Sequence, residues 1–384
     1  MKGCFFMYDL KDLRSKIDEI DSKLLPLFLE RMECSRNVAE YKRANNMPVF
    51  DKEREEQILD DKAKKVDAGQ ASAVRDFFAG IMSISRAAQT KALADTESFG
   101  ALLKDFGSAS VRANPTVVYQ GIPGANSETA LLKYFGEACE KRNVMTFAEV
   151  ADAVLSGEAD FGILPLENSS TGSISGVLDL FEKHSLYIIG EVSVGIDHCL
   201  VGIKGAELRD IRTVYSHEQG YMQCKKFFDN YPKMEFTPYH NTAMAAKMIS
   251  GIGDPSVAAI ADRRCSELYG LDILAENISS IGTNITRFAV ISKKGILDNG
   301  SGKVSIIFTL PNQSGALSSL LSVFSDSGLN LVKIESRPSH NGSFEYIFFV
   351  DFEGNLNDPR VKDVLSVLNT MSASLKILGN YSVL

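Results

Sequence analysis

From Asp9 to Leu93 the apolar positions recur at helical spacing, with no strand-like alternation. Three helices fit: one ending near Ala44, one capped by Asp51 and running to about Val66, and one from about Ala71 to Ala92. At about 100° of rotation per residue, Leu13, Ile17, Ile20 and Leu24 fall within about 60° of one another and form a core-facing seam. The same direction continues through Arg31, Ser35, Val38 and Lys42. Two cations are thereby aimed where the pattern calls for core, and unpaired buried charge is costly enough to imply an anionic occupant. Pro26 supports a competing reading, because an interior proline removes one ladder bond and can bend a helix until its later residues form a solvated face.

Residues 96–114, with Gly100, Gly107, Ser108 and Ser110, read as a linker that ends at Pro115. From Thr116 to about Lys294 the texture changes to short apolar strands, each followed by a polar loop and a helix. Strand alternating with helix predicts a mostly parallel α/β sheet, whose strand ends are where ligands bind. Four polar loops stand at such ends: Gly121 to Ser127, Glu167 to Gly172, Ser216 to Gln219, and Asn241 with Thr242. Each taken alone is most simply a set of helix N-caps; together they form an anion-binding face made of backbone N–H groups. From Gly302 the order is strand, helix, two strands, helix, strand, a ferredoxin-like βαββαβ unit.

The 384 residues suffice for two or three domains, and a net charge of -8 removes the basic footprint that nonspecific nucleic-acid binding requires. The six cysteines are scattered, with no C-x-x-C pair and no metal-type spacing to the five histidines, as suits a reducing compartment. No apolar run approaches the roughly 20 residues of a membrane span, and Met1 to Met7 is too short for a signal peptide. The expectation is a cytoplasmic protein with no metal site, starting at Met1 or Met7.

Within the first unit, Arg31, Lys42, Arg54, Glu55, Ser85 and Gln89 would share one interior, a cavity suited to a small polyanion with hydroxyl and ether oxygens. Leu13-Arg14, Glu30-Arg31, Lys42, Asp51-x-x-Arg54-Glu55 and Ser85-x-x-x-Gln89 resemble the all-helical chorismate mutases over residues 8–95. The resemblance implies a dimer that exchanges its long first helices, so that Arg14 enters the partner's pocket. Arg14 and Arg31 would clamp the two carboxylates of chorismate, Lys42 and Gln89 would donate to the breaking ether, and Glu55 would hold the ring hydroxyl. Asp51, Arg54 and Ser85 would complete the shell. Such a rearrangement needs no nucleophile, only a held conformer and stabilised charge.

Gly282 to Phe288, which contains Thr286-Arg287-Phe288, resembles the prephenate dehydratases, as do Pro165 to Ser170, Ser216-His217, Gln219, Cys224 and Leu268-Tyr269-Gly270. This implies a two-lobed, periplasmic-binding-protein-like domain over 115–295. Thr286 would be the catalytic acid that helps hydroxide leave, with Arg287 orienting it or holding a carboxylate. Ser127, Glu167, Asn168, Ser169, Thr171, Ser216, His217, Gln219 and Phe288 would bind substrate, and Thr242 is a further donor. Glu218 stands where many relatives carry proline. His217 has a plainer reading as a loop histidine that caps a turn.

Residues 302–384 resemble an ACT domain through Asn312-Gln313-Ser314-Gly315-Ala316-Leu317 and Glu335-Ser336-Arg337-Pro338, motifs of its phenylalanine-responsive subset. A regulatory phenylalanine would meet Asn312, Gly315, Ala316, Leu317, Asn330, Leu331 and the Glu335 to Pro338 segment. The plainer reading is a turn and a dimer interface. The resemblances together imply a multidomain chain: a bundle, a linker, a dehydratase and a sensor. Its bifunctional chemistry would run from chorismate through prephenate to phenylpyruvate under phenylalanine feedback, without cofactor, as a dimer or tetramer. The alternatives are a second site that prefers arogenate, or an inactive amino-acid-binding regulator.

Overall fold

A computed structural model describes residues 9–45, 47, 51–93, 96–108, 113–280, 282–310, 312, 315–338 and 346–384. Met1, Met7, Ser110, Gln313 and Ser314 lie outside these residues.

The helical unit is built from α1 (Leu10–Ala44), α2 (Lys52–Ala63) and α3 (Ala68–Leu93), and α1 runs unbroken through Pro26. At 1.5 Å per residue, α1 is about 50 Å long and α3 about 40 Å. Helix α3 packs on both α1 and α2. On α1 it covers the later half, where Ser35 and Ala39 are buried and Arg31, Met32 and Lys42 half-buried. The earlier seam behaves otherwise: Leu13, Ile17, Ile20 and Leu24 are 42–57% exposed. The expectation that this seam faces the core of its own chain is therefore corrected. It is an apolar face, and no other described element covers it.

The stretch read as a linker is largely structured. Helix Thr96–Leu102 sinks Phe99 into the core of the C-terminal unit, and strand Phe106–Ser108 pairs in parallel with Gly295–Leu297. Glycine and serine set this stretch apart in the sequence, but Phe99, Leu102, Leu103 and Phe106 supply enough apolar surface to dock the segment.

The middle unit has two lobes. The first carries the strands Glu140–Val144, Thr116–Gln120, Phe161–Asn168, Ile285–Ser292 and Tyr187–Gly195, in that order across the sheet. The second is a five-stranded sheet ordered Leu271–Ala275, Cys199–Ile203, Val257–Ala261, Thr213–Ser216, Glu235–Pro238. Both lobes are mixed sheets. Ile285–Ser292 runs antiparallel to both neighbours, which returns the chain from the second lobe to the first.

The C-terminal unit is the expected βαββαβ, with sheet order Leu331–Pro338, Tyr346–Glu353, Lys303–Thr309, Ser374–Tyr381. Helices Ala316–Asp326 and Pro359–Met371 cover one face. On the other face Ile307, Ile347, Phe349 and Leu378 share a core with Leu178 and Phe181 of the first lobe. The two sheets are also continuous: Ser374–Tyr381 lies parallel to Tyr187–Gly195, with Gly379 opposite Ile188. A Cβ at residue 379 would fall 2.1 Å from the Ile188 carbonyl oxygen, so the backbones can approach only at glycine.

Candidate active sites

The helical unit gathers its polar residues where α1 and α3 meet. Ser85 and Gln89, four residues apart on α3, are both buried. Arg31 donates through Nη1 to Ser85 Oγ, which itself donates to the Ile81 carbonyl at 2.9 Å. Gln89 Nε2 donates to Ser35 Oγ at 2.7 Å, while Gln89 Oε1 is buried without a partner. Lys42 lies half-buried one helical turn beyond Val38 and Ala39. Glu55 pairs with Arg86, which sequence reasoning misses although it follows Ser85 directly. Two of the expected shell residues stand apart. Asp51 is exposed and caps α2, its Oδ1 accepting from the Arg54 N–H at 3.1 Å. Arg54 is exposed and turns along its own helix to Gln57 Oε1 at 3.0 Å, because its position points off the face that meets α3. Arg14 sits on the free half of α1, about 25 Å along the helix from Arg31, and cannot reach the pocket of its own chain.

In the two-lobed unit, Thr286 and Asn168 are register partners on adjacent antiparallel strands. Thr286 is buried, and its Oγ1 accepts from Asn168 Nδ2 at 2.9 Å. Asn168 Oδ1 gathers the following turn, accepting from Ser170 N at 2.9 Å, Ser170 Oγ at 2.5 Å and Thr171 Oγ1 at 3.4 Å. Ser169 Oγ accepts from Ile285 N at 3.0 Å and closes the same corner. From here a chain of hydrogen bonds crosses to the second lobe. Asn168 Nδ2 donates to Asn284 Oδ1 at 2.7 Å, Asn284 Nδ2 to Gln223 Oε1 at 3.1 Å, and His198 Nε2 meets the same Gln223 oxygen at 2.8 Å. Gln223 Nε2 returns to Ser170 Oγ at 2.7 Å. Burial pushes the His198 imidazole below its ordinary range, which favours the neutral ring. Ser216 Oγ is buried without a partner beside this chain: a Cβ on Gly220 would lie 2.9 Å from it and 3.8 Å from His198 Cε1.

His217 caps helix Glu218–Gln223 by accepting from Gln219 N at 3.3 Å, and both residues are exposed. Asn241 likewise caps the helix that Thr242 begins. Ser127 Oγ is buried and donates to the Gln120 carbonyl. Burial pushes the Cys224 and Cys265 thiols up to about 12, which removes both as nucleophiles at neutral pH.

Three expected site residues are placed elsewhere, two by strand geometry and the third by core packing. Successive side chains of a strand point to opposite faces, so Arg287 and Glu167 face away from the Thr286–Asn168 pair. Arg287 Nε and Nη2 fork onto Glu191 at 2.7 and 2.8 Å, Nη1 reaches Glu167 Oε2 at 2.8 Å, and Nη2 reaches Asp351 Oδ2 at 3.2 Å. Burial alone would lower the Arg287 pKa, but Glu191 and Asp351 carry it above its ordinary value. Glu191 is itself deeply buried, and Arg287 and Lys303 hold its carboxyl below the usual range against the opposing effect of burial. Arg287 therefore neither orients Thr286 directly nor opens to a substrate carboxylate, and Glu167 lies with it on the face that meets Lys333 of the C-terminal unit. Phe288 packs into the first-lobe core with Val117, Ile163 and Val192.

Three families match in the order in which the units occur. Residues 13–90 match chorismate mutase type II, 117–296 prephenate dehydratase, and 304–369 the ACT domain. The Pseudomonas aeruginosa bifunctional chorismate mutase/prephenate dehydratase is 34% identical over 380 residues, covering 97% of this chain and 97% of its own. The chain belongs to this bifunctional family. It is an enzyme with an isomerase unit and a carbon–oxygen lyase unit, followed by an ACT domain. Solved structures that align over 70% of it include two at 30% identity or more. One is the Arthrobacter aurescens prephenate dehydratase in complex with L-Phe, at 32% identity, TM-score 0.64 and 89% coverage of that chain. The other is GqqA, described as a novel type of quorum quenching acylase, at 30% identity, TM-score 0.65 and 98% coverage of that chain.

In the ACT domain, Gly315 takes a φ of +83° to start helix Ala316–Asp326, and Ala316, Leu317 and Leu331 pack against the ACT core. Asn312 is exposed, and Asn330 donates to Glu353 Oε2 at 3.1 Å. The Glu335 to Pro338 segment is divided by its strand. Ser336 and Pro338 point to solvent, whereas Glu335 pairs with Lys333 at 3.4 Å and Arg337 reaches Asp179 of the dehydratase at 2.6 Å. Within one chain these residues do not converge on a single pocket.

Proposed function

We propose that the helical unit rearranges chorismate to prephenate, that the two-lobed unit converts prephenate to phenylpyruvate, and that the ACT domain subjects the pathway to phenylalanine feedback. The observation that carries the dehydratase reading is the Asn168–Thr286 hydrogen bond. Because Asn168 Nδ2 donates to Thr286 Oγ1, the threonine hydroxyl keeps its own proton for another acceptor. In prephenate that acceptor is the ring hydroxyl. The bond to the ring carboxylate breaks and releases CO2, its electron pair enters the ring, the C–O bond breaks, and the departing hydroxide takes a proton to leave as water. Thr286 supports that departure, and Asn168, Ser169 and Thr171 form the adjoining wall.

The mutase step needs only a compact conformer and stabilised charge separation. Arg31, fixed by buried Ser85, supplies a planar fork for a carboxylate; Gln89, bonded to Ser35 one turn along α1, and half-buried Lys42, two turns beyond Ser35, supply further donors along the same helix. The remaining carboxylate calls for Arg14 of a second copy. The exposed seam of α1 supports this assembly, since four large apolar residues in a row are what an exchanged helix would cover. The partner is accordingly a second copy of this chain, as a dimer or a higher homo-oligomer, and the site of action is the cytoplasm. Among the described residues no helix is long and apolar enough to cross a membrane.

The test is to supply chorismate and follow prephenate and phenylpyruvate, with and without phenylalanine. Sequential appearance of both products, slowed by phenylalanine, is the expected result. A second site that leaves prephenate unused and consumes arogenate would overturn the assignment of its substrate.

A further inference from the structure

The two strands that carry the Thr286–Asn168 pair are clamped from behind by the ACT domain. On one face Thr286 meets Asn168; one residue along, on the opposite face, Arg287 meets Glu167 at 2.8 Å in the same register. Each member of that rear pair is also held by an ACT side chain. Asp351 takes Arg287 at 3.2 Å, and Lys333 takes Glu167 at 3.3 Å while donating to Ser173 Oγ of the dehydratase at 2.7 Å. Lys303 ties the arrangement to the floor of the interface, 2.8 Å from Glu191 and 3.5 Å from Asp351. Asp351 is further fixed by Ser305 Oγ at 2.6 Å, and Ser305 by Tyr381 at 2.6 Å.

We propose that Arg287 and Glu167 are positioning residues of the dehydratase, and that Asp351 and Lys333 transmit the state of the ACT domain through them to the Thr286–Asn168 pair. This rests on the reading of that pair as the dehydratase centre. Arginine suits the task because its fork fixes direction as well as distance. A guanidinium held by three carboxylates from three strands cannot follow one of them without disturbing the others. A small shift of the ACT sheet therefore pulls on both catalytic strands at once, and a displacement of about 1 Å at reacting groups can cost about a hundredfold in rate. The coupling needs no motion of the cleft loops.

The test uses the full chain and two variants outside the cleft. Asp351→Asn keeps the acceptor for Ser305 but removes the charge on Arg287, and Lys333→Met removes the tie to Glu167 while leaving Asp351 in place. Both are expected to lower dehydratase kcat by about tenfold to a hundredfold with KM little changed, and to leave mutase turnover intact. Phenylalanine should still bind by calorimetry but no longer change dehydratase rate. If both variants keep parental kcat and parental phenylalanine inhibition, or if kcat and mutase turnover fall together in both, the proposal fails. Thr286→Ala separates the two levels. A dead Thr286→Ala beside silent Asp351 and Lys333 variants removes the positioning claim alone, whereas an active Thr286→Ala removes the centre on which it rests.

Discussion

Asn168 Nδ2 lies 2.9 Å from Thr286 Oγ1, joining the two central strands of the first dehydratase lobe at a single register position. The amide is the donor in this bond, so the pair has a direction: the threonine proton points elsewhere. Thr286→Ala is expected to reduce phenylpyruvate formation by about a hundredfold or more, with mutase activity preserved. Asn168→Asp keeps the shape but replaces the donor with an acceptor, which draws the Thr286 proton to itself. It should therefore lose most of the dehydratase rate, whereas Thr286→Ser should retain a substantial part. Steady-state rates with prephenate measure all three.

Arg14 and Arg31 lie too far apart on one helix to serve one pocket, and this gives the exchanged dimer a specific test. Arg14→Ala and Arg31→Ala should each abolish mutase activity as homo-oligomers. Unfolded and refolded together in equal amounts, they form mixed dimers in which one pocket carries both changes and the other carries neither. About a quarter of parental mutase activity should return. No recovery, with mixing confirmed by tagged copies, would show that both arginines serve the same chain.

Much of this is legible in the sequence for identifiable reasons. Periodicity places α1, α2 and α3 closely, because each is long and strongly patterned. Ser85 and Gln89 stand out because polar residues four apart interrupt an apolar helix face. Spacing does not say which chain covers Leu13 to Leu24. Nor does it separate Thr286 from Arg287: adjacency in a motif suggests shared duty, but a strand sends neighbours to opposite faces. Gln223 carries a usable signal, four residues after Gln219 and directly before Cys224. His198 carries none, because its contact with Gln223 depends on how the chain crosses between lobes.

His198 makes the dehydratase sensitive to acid in a direction that can be worked out. Its folded pKa is depressed below 6.5 by burial, with Gln223 and the nearby Asp262 and Asp197 opposing more weakly. The unfolded chain therefore binds more protons than the native one in the window below 6.5, and stability falls as pH drops through it. His198→Asn, which cannot take up that proton, should flatten this part of the curve. Thermal unfolding of parent and variant from neutral pH downward checks it; identical slopes would mean that His198 does not titrate differently on folding.

Gly379 is where the regulatory sheet joins the catalytic one. Any larger residue would meet backbone there: an added Cβ would lie 2.1 Å from the Ile188 carbonyl oxygen and 2.9 Å from its carbon. Neither atom can rotate away, unlike a side-chain end, so Gly379→Ala must separate the strands Ser374–Tyr381 and Tyr187–Gly195. Overpacking of this kind costs about 1–3 kcal/mol, and more where backbone has to move. The neighbouring bond from Leu384 N to the Glu191 carbonyl, 2.9 Å long, should weaken with it, because both belong to the same seam. The variant should therefore unfold at lower temperature and exchange the amides of residues 374–384 faster, while the mutase pocket keeps its turnover. Gly302→Ala provides the contrast, since its added Cβ would meet nothing within 4 Å. If Gly379→Ala matched Gly302→Ala in melting temperature and amide exchange, the close approach of the two strands would not be a feature of the molecule in solution.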